Sequence, residues 1–553
     1  MEIKHNNMKI VPLWILAVLV NIKSIFTDFG ADQAYAVATS YRHIVGDSMF
    51  AQMCEPHQTS GFLTDFLMIL YKCIVPDLTG VVLFLQFCWV VLSIVVAYCL
   101  YKELIHWINS ELSQYICIFF LIFQPKQSVF PEFSNMQILF GVLCFVYILR
   151  FFRSTKKSIN LIWAALFLSL QILSYPTCLV NYLGIVGVLF LFSEQRWRSI
   201  GIFTGACVVY GSIYMAIILS QTSLESLLGS INFIINADKS HTGNEFDLVS
   251  YLAGFGYGMI WIGASFVLAY VLYRIINKRM HFSAILGAIL LFTEVVIVFV
   301  SAYTSLDWFC QYFIILPVMI IWGLKDYKYL EKGLKKVYLL GVVMACGSFI
   351  AVRCLTNLEL LPTISFLMMA GMVSLIPIYE RRKDDKININ RGLILCILLM
   401  ILFHRGIVIC GYAREGGDEL IHQMENIIRV GPAKGIAASL SKCNEIKYGM
   451  EDWKTNIQDD TVLVVVPWML DAIVYVNTEA EVATYSTIDT PTYDESLLSY
   501  WEMYPDKIPT VIAVQAWDNQ ITVAEDTWIM QWVNENYTQY TEGYYWRFYR
   551  KMK

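Results

Sequence analysis

The amino-acid sequence predicts a polytopic α-helical membrane protein with a small C-terminal α/β domain. The chain of 553 residues is 57% hydrophobic and only 15% charged, whereas a soluble globular domain carries roughly 25% charged residues. Long apolar stretches recur as far as residue 412. Beyond residue 414, short strand-like and helical segments alternate instead, which is typical of an α/β domain.

The charge is divided between these two parts of the chain. Residues 1–414 carry 30 lysines and arginines against 23 acidic residues, whereas residues 415–553 carry 10 against 22. A change of this size along one chain indicates two different environments. We therefore predict a membrane-embedded domain over residues 1–414 and a separate acidic domain over residues 415–553.

The apolar stretches predict about thirteen transmembrane helices. A helix needs about 20 apolar residues to cross the hydrocarbon core of a bilayer. The candidate segments are 10–27, 79–100, 113–124, 135–152, 159–175, 178–193, 199–220, 251–273, 282–304, 308–324, 337–353, 361–379 and 392–412.

The distribution of positive charge predicts the orientation of these helices. Lysine and arginine concentrate in cytoplasmic loops. With the N-terminus inside, the inner segments carry 22 of these residues and the outer segments carry 8. This bias predicts a cytoplasmic N-terminus, and we expect the protein to lie in the plasma membrane. Loop 28–78 and the C-terminal domain then both face the extracytoplasmic side.

The first outer loop, residues 28–78, holds an unusual group of ionisable side chains. An acid at the membrane edge is costly unless it has a function, so this loop is the first functional-site candidate. Segment 61–75 is apolar but interrupted by Asp65 and Lys72, which indicates an interfacial helix. The ionisable residues near the start of the loop are Asp28, Asp32, Arg42, His43, Asp47 and His57.

The C-terminal part, residues 415–553, predicts alternating strands and helices. The expected strands are 459–468, 481–487, 510–516 and 541–551, and the expected helices are 418–442 and 526–537. This part lacks a sequence cluster of His, Cys or Ser that would indicate a second catalytic centre. A packing or substrate-guiding role is therefore expected for it.

The first loop resembles that of the membrane glycosyltransferases of the GT-C class, which include protein mannosyltransferases and bacterial aminoarabinose transferases. The resemblance rests on ADQAY (31–35), GDSMF (46–50) and EPHQTSGFL (55–63). Asp32 matches the acid of the first loop in that class. Many members carry an acidic pair where this chain has Gln33 after Asp32, and an arginine where it has Gln311. The resemblance implies a GT-C-like helical bundle.

The same resemblance implies a reaction. Such enzymes move a sugar from a polyprenyl-phosphate donor to a glycan, lipid or protein acceptor, with inversion at the anomeric carbon. Asp32 is the expected general base, because an acceptor hydroxyl must lose its proton in the transition state. Asp47 is expected to orient the acceptor or to hold a metal ion. A divalent metal is an option, but two separated aspartates are too few to claim one, and no cofactor is certain.

The lipid-phosphate leaving group calls for a positive charge at the membrane edge. Arg405, near the outer end of the last predicted span, is the strongest candidate, because an intramembrane arginine needs an anionic partner. The weaker alternatives are Arg42, His57, Lys126 and Arg353. Glu294, in the middle of another span, is expected to pair with a polar side chain inside the bundle.

Other interpretations of these residues and of the chain stay open. Asp32 and Asp47 could instead cap helices, His57 could make a structural hydrogen bond, and Arg405 could extend to the interface. The whole chain could also be a transporter or flippase of a lipid-linked saccharide, or a non-catalytic membrane protein of cell-envelope polysaccharide biosynthesis. The expected partners are the lipid-linked donor, the acceptor and the bilayer, with no nucleic acid.

Overall fold

A computed structural model describes most of the chain, and every structural statement below concerns those residues. They are 10–27, 29–55, 57–124, 129–154, 158–237, 248–276, 282–303, 315–355, 363–380, 389–407, 424–458, 460–466, 472–478, 480–487, 493–517, 520–537 and 539–551.

The part before residue 408 is helical. Its helices are α1 (Val11–Thr27), α2 (Ala31–Val45), α3 (Phe62–Lys72), α4 (Val81–Leu104), α5 (Ser110–Ile122), α6 (Phe133–Arg153), α7 (Ile159–Ser174), α8 (Val180–Phe192), α9 (Arg196–Gln221), α10 (Leu224–Ala237), α11 (Leu248–Ile275), α12 (Phe282–Tyr303), α13 (Ile315–Asp326), α14 (Lys332–Leu355), α15 (Met368–Glu380) and α16 (Ile389–Ile407). Each predicted span falls on one of these helices. The additional helices α2, α3 and α10 lie in the two segments that were predicted as large outer loops.

Four of the described helices are long and apolar enough to cross a membrane on their own. They are Val81–Leu104, Phe133–Arg153, Arg196–Gln221 and the Lys332–Cys354 portion of α14. Several shorter apolar helices accompany them. The prediction of a helical membrane protein is therefore confirmed in kind. The number of thirteen spans and the inside-outside assignment stay predictions.

The short helix α5 has a side-chain cap at its start. The side chain of Asn109 accepts a hydrogen bond from the Leu112 amide at the start of α5. Every residue of α5 from Leu112 to Ile122 is buried except Gln114. A helix enclosed by neighbouring helices in this way is apolar all round, which explains why its sequence showed a short uninterrupted run.

The C-terminal part contains a mixed six-stranded sheet in the order β4-β3-β5-β8-β7, with β6 paired to β5. Strand β3 runs parallel to β4 and β5, whereas β8 runs antiparallel to β5 and β7. The strands are β3 (Thr461–Val465), β4 (Glu481–Val482), β5 (Val511–Trp517), β6 (Gln520–Ile521), β7 (Gln539–Glu542) and β8 (Trp546–Arg550), after a short antiparallel pair β1 (Asn426–Ile427) and β2 (Ala437–Ala438). The helices are α17 (Leu440–Asn456), α18 (Ser496–Met503) and α19 (Trp528–Asn536).

One C-terminal prediction is wrong over the described residues. The helix expected over 418–442 gives way, from residue 424 to 439, to the β1–β2 pair and its turn. Gly431 and Gly435 adopt positive φ angles of 72° and 99° in that turn, a conformation that favours glycine and breaks a helix. A helix begins only at Leu440, where the Ser439 side chain accepts from the Lys442 amide.

The first-loop helix α2 packs on the C-terminal part, mainly on segment Ala472–Asn477 and also on strand β4. Val37 and Tyr41 of α2 belong to the same buried apolar cluster as Val474 of that segment. The Tyr41 hydroxyl also lies 2.6 Å from the Thr478 carbonyl oxygen and 2.9 Å from that of Ala480. The C-terminal part therefore holds the helix that carries Asp32 and Arg42.

Candidate functional site

Helix α2 has a fixed start and a fixed end. At the start, the Gly30 amide donates a hydrogen bond of 2.6 Å to the Gln33 side chain. At the end, Gly46 adopts a φ of +105° and its amide returns to the carbonyls of Arg42 and His43, which is the usual glycine termination of a helix. Gln33 is 4% exposed, so the residue that stands where many GT-C members have a second acid closes the helix here.

Asp32 lies in the first turn of α2 and is half-buried. The helix dipole favours a carboxylate in that turn. The Gln33 side chain accepts the Gly30 amide at the helix start, and both the catalytic role of Asp32 and its alternative as a cap stay predictions. Asp32 and Glu132 both interact electrostatically with the Tyr175 phenol. Both carboxylates therefore act electrostatically on the same phenol.

Aromatic side chains pack together near the start of α2. Tyr35, one turn after Asp32, is buried in a cluster with Phe133, Tyr175 and Phe366. The ring of His57 stacks on Phe133, with 3.9 Å between ring centroids and 9° between planes. It also lies 5.2 Å from the Tyr175 ring. This packing favours the structural role for His57, while its predicted role at a lipid phosphate stays a prediction.

Glu132 is a site residue that the sequence analysis missed. It is fully buried and accepts hydrogen bonds from the amides of Ser134 and Asn135, at 2.8 Å and 2.7 Å, at the start of α6. The available signal was its position: it is the single acid in segment 125–134, immediately before a predicted span on the same outer side as Asp32. Capping explains its burial, and Tyr175 links it to Asp32.

Arg405 is fully buried near the end of α16. Its guanidinium lies 3.4 Å from the Asn21 side-chain oxygen, 3.2 Å from the Ser24 hydroxyl and 3.2 Å from the Ile122 carbonyl oxygen. Arg405 thus joins α16 to the C-terminal half of α1, the helix that precedes α2 and Asp32. The alternative of a side chain extending to an exposed interface does not fit this burial.

His404, the residue before Arg405, forms the pair inside the bundle that was expected for Glu294. His404 Nδ1 lies 2.5 Å from Glu294 Oε1, and both side chains are 1% exposed. The expectation that Glu294 pairs with a polar side chain inside the bundle is confirmed. This pair joins α12 to α16 and so holds the helix that carries Arg405.

The other end of α2 is held by a buried ion-pair network, which we call the anchor network: Arg42, Asp47, Glu55 and Lys507. Arg42 Nε lies 2.8 Å from Asp47 and its Nη1 lies 3.2 Å from Glu55. Lys507 Nζ, from the C-terminal part, lies 2.6 Å from the second Asp47 oxygen. Two cations therefore balance two carboxylates in a closed space.

Backbone and hydroxyl groups complete the anchor network. Glu55 accepts hydrogen bonds from the Ser486 hydroxyl at 2.9 Å and from the Thr487 amide at 2.8 Å. Arg42 also donates to the carbonyls of Gln52 and Tyr485. Burial by itself would lower the pKa of Arg42, but the neighbouring carboxylates of Asp47 and Glu55 raise it above its ordinary value. Arg42 is thus always charged.

The structure does not bring Asp47 or Arg42 next to Asp32. Arg42 follows Asp32 by ten residues, which corresponds to about 15 Å along a helix. The catalytic role of Asp47 and the phosphate-binding role of Arg42 stay predictions, and this geometry favours a structural role for both. Lys126 lies outside the described residues. Among the described residues no group of three His, Cys, Asp or Glu side chains could hold a metal ion.

No protein-family profile and no curated protein matches the chain. The fold is similar to ArnT from Cupriavidus metallidurans bound to undecaprenyl phosphate, with 11% identity, a TM-score of 0.45 and coverage of 98% of this chain and 97% of that chain. It is also similar to the Archaeoglobus fulgidus oligosaccharyltransferase tethered with an acceptor peptide, with 10% identity, a TM-score of 0.44 and coverage of 91% and 69%.

A third similar structure is AglB from Archaeoglobus fulgidus in complex with an inhibitory peptide and a dolichol-phosphate, with 11% identity, a TM-score of 0.44 and coverage of 91% and 69%. These structural neighbours are GT-C glycosyltransferases, the class that the first loop resembles. A likeness this distant says nothing of the reaction, which has to be argued from the residues.

Proposed function

We propose that this protein is a membrane glycosyltransferase that moves a sugar from a polyprenyl-phosphate donor to an acceptor on the extracytoplasmic side. Asp32 is the general base, and the reaction inverts the anomeric carbon. The acceptor is a cell-surface glycan, a lipid or a protein. The membrane part comprises residues 1–414, and residues 415–553 form an extracytoplasmic domain that holds the site.

One observation carries this proposal. Asp32 is a half-buried carboxylate in the first turn of a helix that is fixed at both ends, beside Tyr175 and a second carboxylate, Glu132. A general base must be held in place and yet be reachable by the hydroxyl that it deprotonates. Half-burial at a rigid helix start meets both conditions, and Asp32 is the acid at which the first-loop resemblance to GT-C enzymes is centred.

The proposed step is a single displacement. The acceptor hydroxyl gives its proton to the Asp32 carboxylate while its oxygen forms a bond to the anomeric carbon. The bond between that carbon and the phosphate oxygen breaks, and the electron pair leaves with the lipid phosphate. General base catalysis of this kind contributes roughly 10²- to 10⁴-fold to the rate.

Arg405 is the proposed cation for the lipid phosphate. Its burial against α1 supports this role, because a fixed positive charge in a dry environment stabilises a leaving phosphate strongly. The Ser24 hydroxyl that Arg405 contacts lies in the last turn of α1, and α2 begins four residues after α1 ends. Arg42 and Asp47 are assigned to the anchor network.

The decisive experiment is transfer by the Asp32→Asn variant. Purified protein in detergent is incubated with a panel of polyprenyl-phosphate sugars and cell-envelope acceptors, and consumption of each donor is measured. Asp32→Asn should reduce transfer by about 10²-fold or more and leave the unfolding temperature unchanged. Asp77→Asn is the matched control, because Asp77 lies in the same loop but is exposed.

Two results would contradict the proposal. Transfer at the normal rate by Asp32→Asn would remove the general base. If instead vesicles containing the wild-type protein move a lipid-linked saccharide across the bilayer without consuming it, the transporter alternative would be favoured. The Asp77→Asn control has to retain full activity, since a loss there would mean that any charge removed from this loop disturbs it.

A further inference from the structure

A cavity of about 580 Å³ lies away from Asp32, where the first loop, α10 and α18 meet. Its volume falls in the range of roughly 300–1,000 Å³ that small-molecule sites occupy. We propose that this cavity binds a neutral saccharide unit of the acceptor. The residues that the argument uses are Cys54, Glu225, Gly229, Asn232, Tyr500 and Tyr504.

Hydrogen bonds and a ring contact connect the segments that line the cavity. Cys54 of the first loop lies 3.0 Å, sulfur to oxygen, from Ser230 of α10. Its amide also donates to the Tyr485 carbonyl at 2.9 Å. The ring of Phe233 in α10 contacts the Tyr485 ring edge-on, with 4.8 Å between centroids. Three segments that are far apart in the sequence therefore form one built site.

The lining combines aromatic faces with polar groups. The Tyr500 hydroxyl donates to the Gln52 carbonyl at 2.8 Å, so its position is fixed, and the Tyr504 ring packs on it with 5.3 Å between centroids. Asn232 and Glu225 are exposed on α10 beside these rings. Aromatic surface plus a few amide and carboxylate groups is suited to a sugar, which has apolar C–H faces and hydroxyl edges.

The charge of the lining selects the class of saccharide. Glu225 is its charged residue, and the described lining contains neither lysine nor arginine. The surrounding C-terminal part also has an excess of acidic residues. An anionic glycan would meet repulsion here, so a neutral one is the better fit.

The thiol of Cys54 does not act as a nucleophile in this cavity. Burial raises the pKa of Cys54 to about 11 from 9.0. The thiol is therefore protonated at neutral pH, and only a thiolate would attack a substrate. The cavity is consistent with a binding site and not with a second reaction centre.

The cavity is connected to the reaction site by shared contacts. The Gln52 carbonyl accepts hydrogen bonds from both Tyr500 and Arg42, and Arg42 lies on the helix that carries Asp32. A saccharide bound at Tyr500 would thus rest on the anchor network of that helix. This inference relies on the proposed transferase function for calling the saccharide an acceptor, but saccharide binding itself can be tested without turnover.

Filling the cavity tests the inference. A Cβ built on Gly229 meets no atom within 4 Å, so Gly229→Trp should place its ring in the cavity without disturbing the fold. Gly211→Trp is the matched control, because Gly211 is equally open but lies on α9, outside the lining. Asn232→Ala is a milder variant that removes one polar group.

Binding is measured by equilibrium dialysis of the full-length protein with mannotetraose, chitotetraose and tetragalacturonate. Binding of polyprenyl phosphate is measured in parallel. The wild type and Gly211→Trp should bind a neutral tetrasaccharide and not tetragalacturonate. Gly229→Trp should weaken that binding at least about tenfold, or 1.4 kcal/mol, and all variants should bind the lipid phosphate equally.

The inference fails if Gly229→Trp binds neutral tetrasaccharides as well as the wild type does, if the anionic one binds best, or if the wild type binds none at about 10 mM, where even a weak site would be occupied. Failure of the proposed reaction would be visible elsewhere, as unchanged transfer by Asp32→Asn. The two ideas can therefore stand or fall separately.

Discussion

The two ends of helix α2 carry charged residues for different purposes. At its start, Asp32 is half-buried and interacts with Tyr175 beside Glu132. At its end, Arg42 is fully buried and bonded to Asp47 and Glu55. At the first end, the Asp32 carboxylate is reachable from outside. At the second end, oppositely charged buried side chains pair with one another.

This difference separates a reaction site from a structural contact. Buried charges are tolerated when opposite charges and hydrogen bonds satisfy them, and the anchor network meets that requirement with Lys507 from the C-terminal part. Asp32 is instead half-buried in the first turn of α2, where a substrate hydroxyl can reach it.

The largest stability effect should come from removing the positive centre of the anchor network. Arg42→Met leaves Glu55 buried with only its neutral donors and leaves Asp47 dependent on Lys507. Breaking a buried pair in this way typically costs about 3–5 kcal/mol. Thermal unfolding in detergent, followed by loss of the monodisperse peak, should show a clear decrease in the unfolding temperature.

The matching control is at the opposite end of the same helix. Asp32→Asn should lose transfer without a loss of stability, while Arg42→Met should lose stability first and transfer as a consequence. An Arg42→Met protein as stable as the wild type would mean that the network is dispensable. In that case the predicted role of Arg42 at a lipid phosphate would become the better explanation.

A smaller loss is expected at the C-terminal side of the same network. Lys507→Met removes one partner of Asp47, but Arg42 stays bonded to that carboxylate at 2.8 Å. The cost should be about 1–3 kcal/mol, the range for a buried polar group that loses one partner. Unfolding by heat of Lys507→Met and of Lys447→Met, whose lysine is exposed, gives the comparison.

Lys507→Met also tests whether the C-terminal sheet positions α2. If it does, the variant should release α2 from the sheet, and limited proteolysis should cut residues 46–57 faster than in Lys447→Met. Equal proteolysis in the two variants would show that the apolar contacts of Val37 and Tyr41 suffice to hold the helix.

The helices of the bundle could be predicted from the sequence because a membrane helix depends on a local run of apolar residues. A run of apolar residues fixes a membrane helix without reference to the rest of the chain, and each predicted span falls on a helix. Strands β3 and β8 lie within predicted strand segments, and β5 extends one residue beyond its segment. The wrong helix over 424–439 came from amphipathic spacing that two positive-φ glycines override.

The candidate site was only partly readable because its partners are distant in sequence. Asp32 was identified from its place just past the first span and from the GT-C resemblance. Asp47 carried the same local signal, and no nearby residue predicted its ion pair with Lys507, which lies 460 residues later. Glu132 and Tyr175 likewise meet Asp32 only through the packing of α6 and α7 against α2, which no local pattern encodes.

The sharpest question about the comparison concerns Glu132. It is fully buried and accepts the amides of Ser134 and Asn135, one on each carboxylate oxygen, and it interacts electrostatically with Tyr175, as Asp32 does. Glu132→Gln keeps one acceptor oxygen, so one of the two amides loses its partner, and it removes the negative charge. The two losses together should cost about 1–2.5 kcal/mol.

If Glu132 belongs to the reaction site, Glu132→Gln should lower transfer at least tenfold in protein that is still folded at the assay temperature. Glu132→Ala, which removes the cap as well, should lose a further stability increment of about 1 kcal/mol. Normal transfer by Glu132→Gln would make Glu132 a cap alone. Asp32 would then be the single carboxylate at the start of α2 that takes part in the reaction, because removing the charge of Glu132 would have left transfer unchanged.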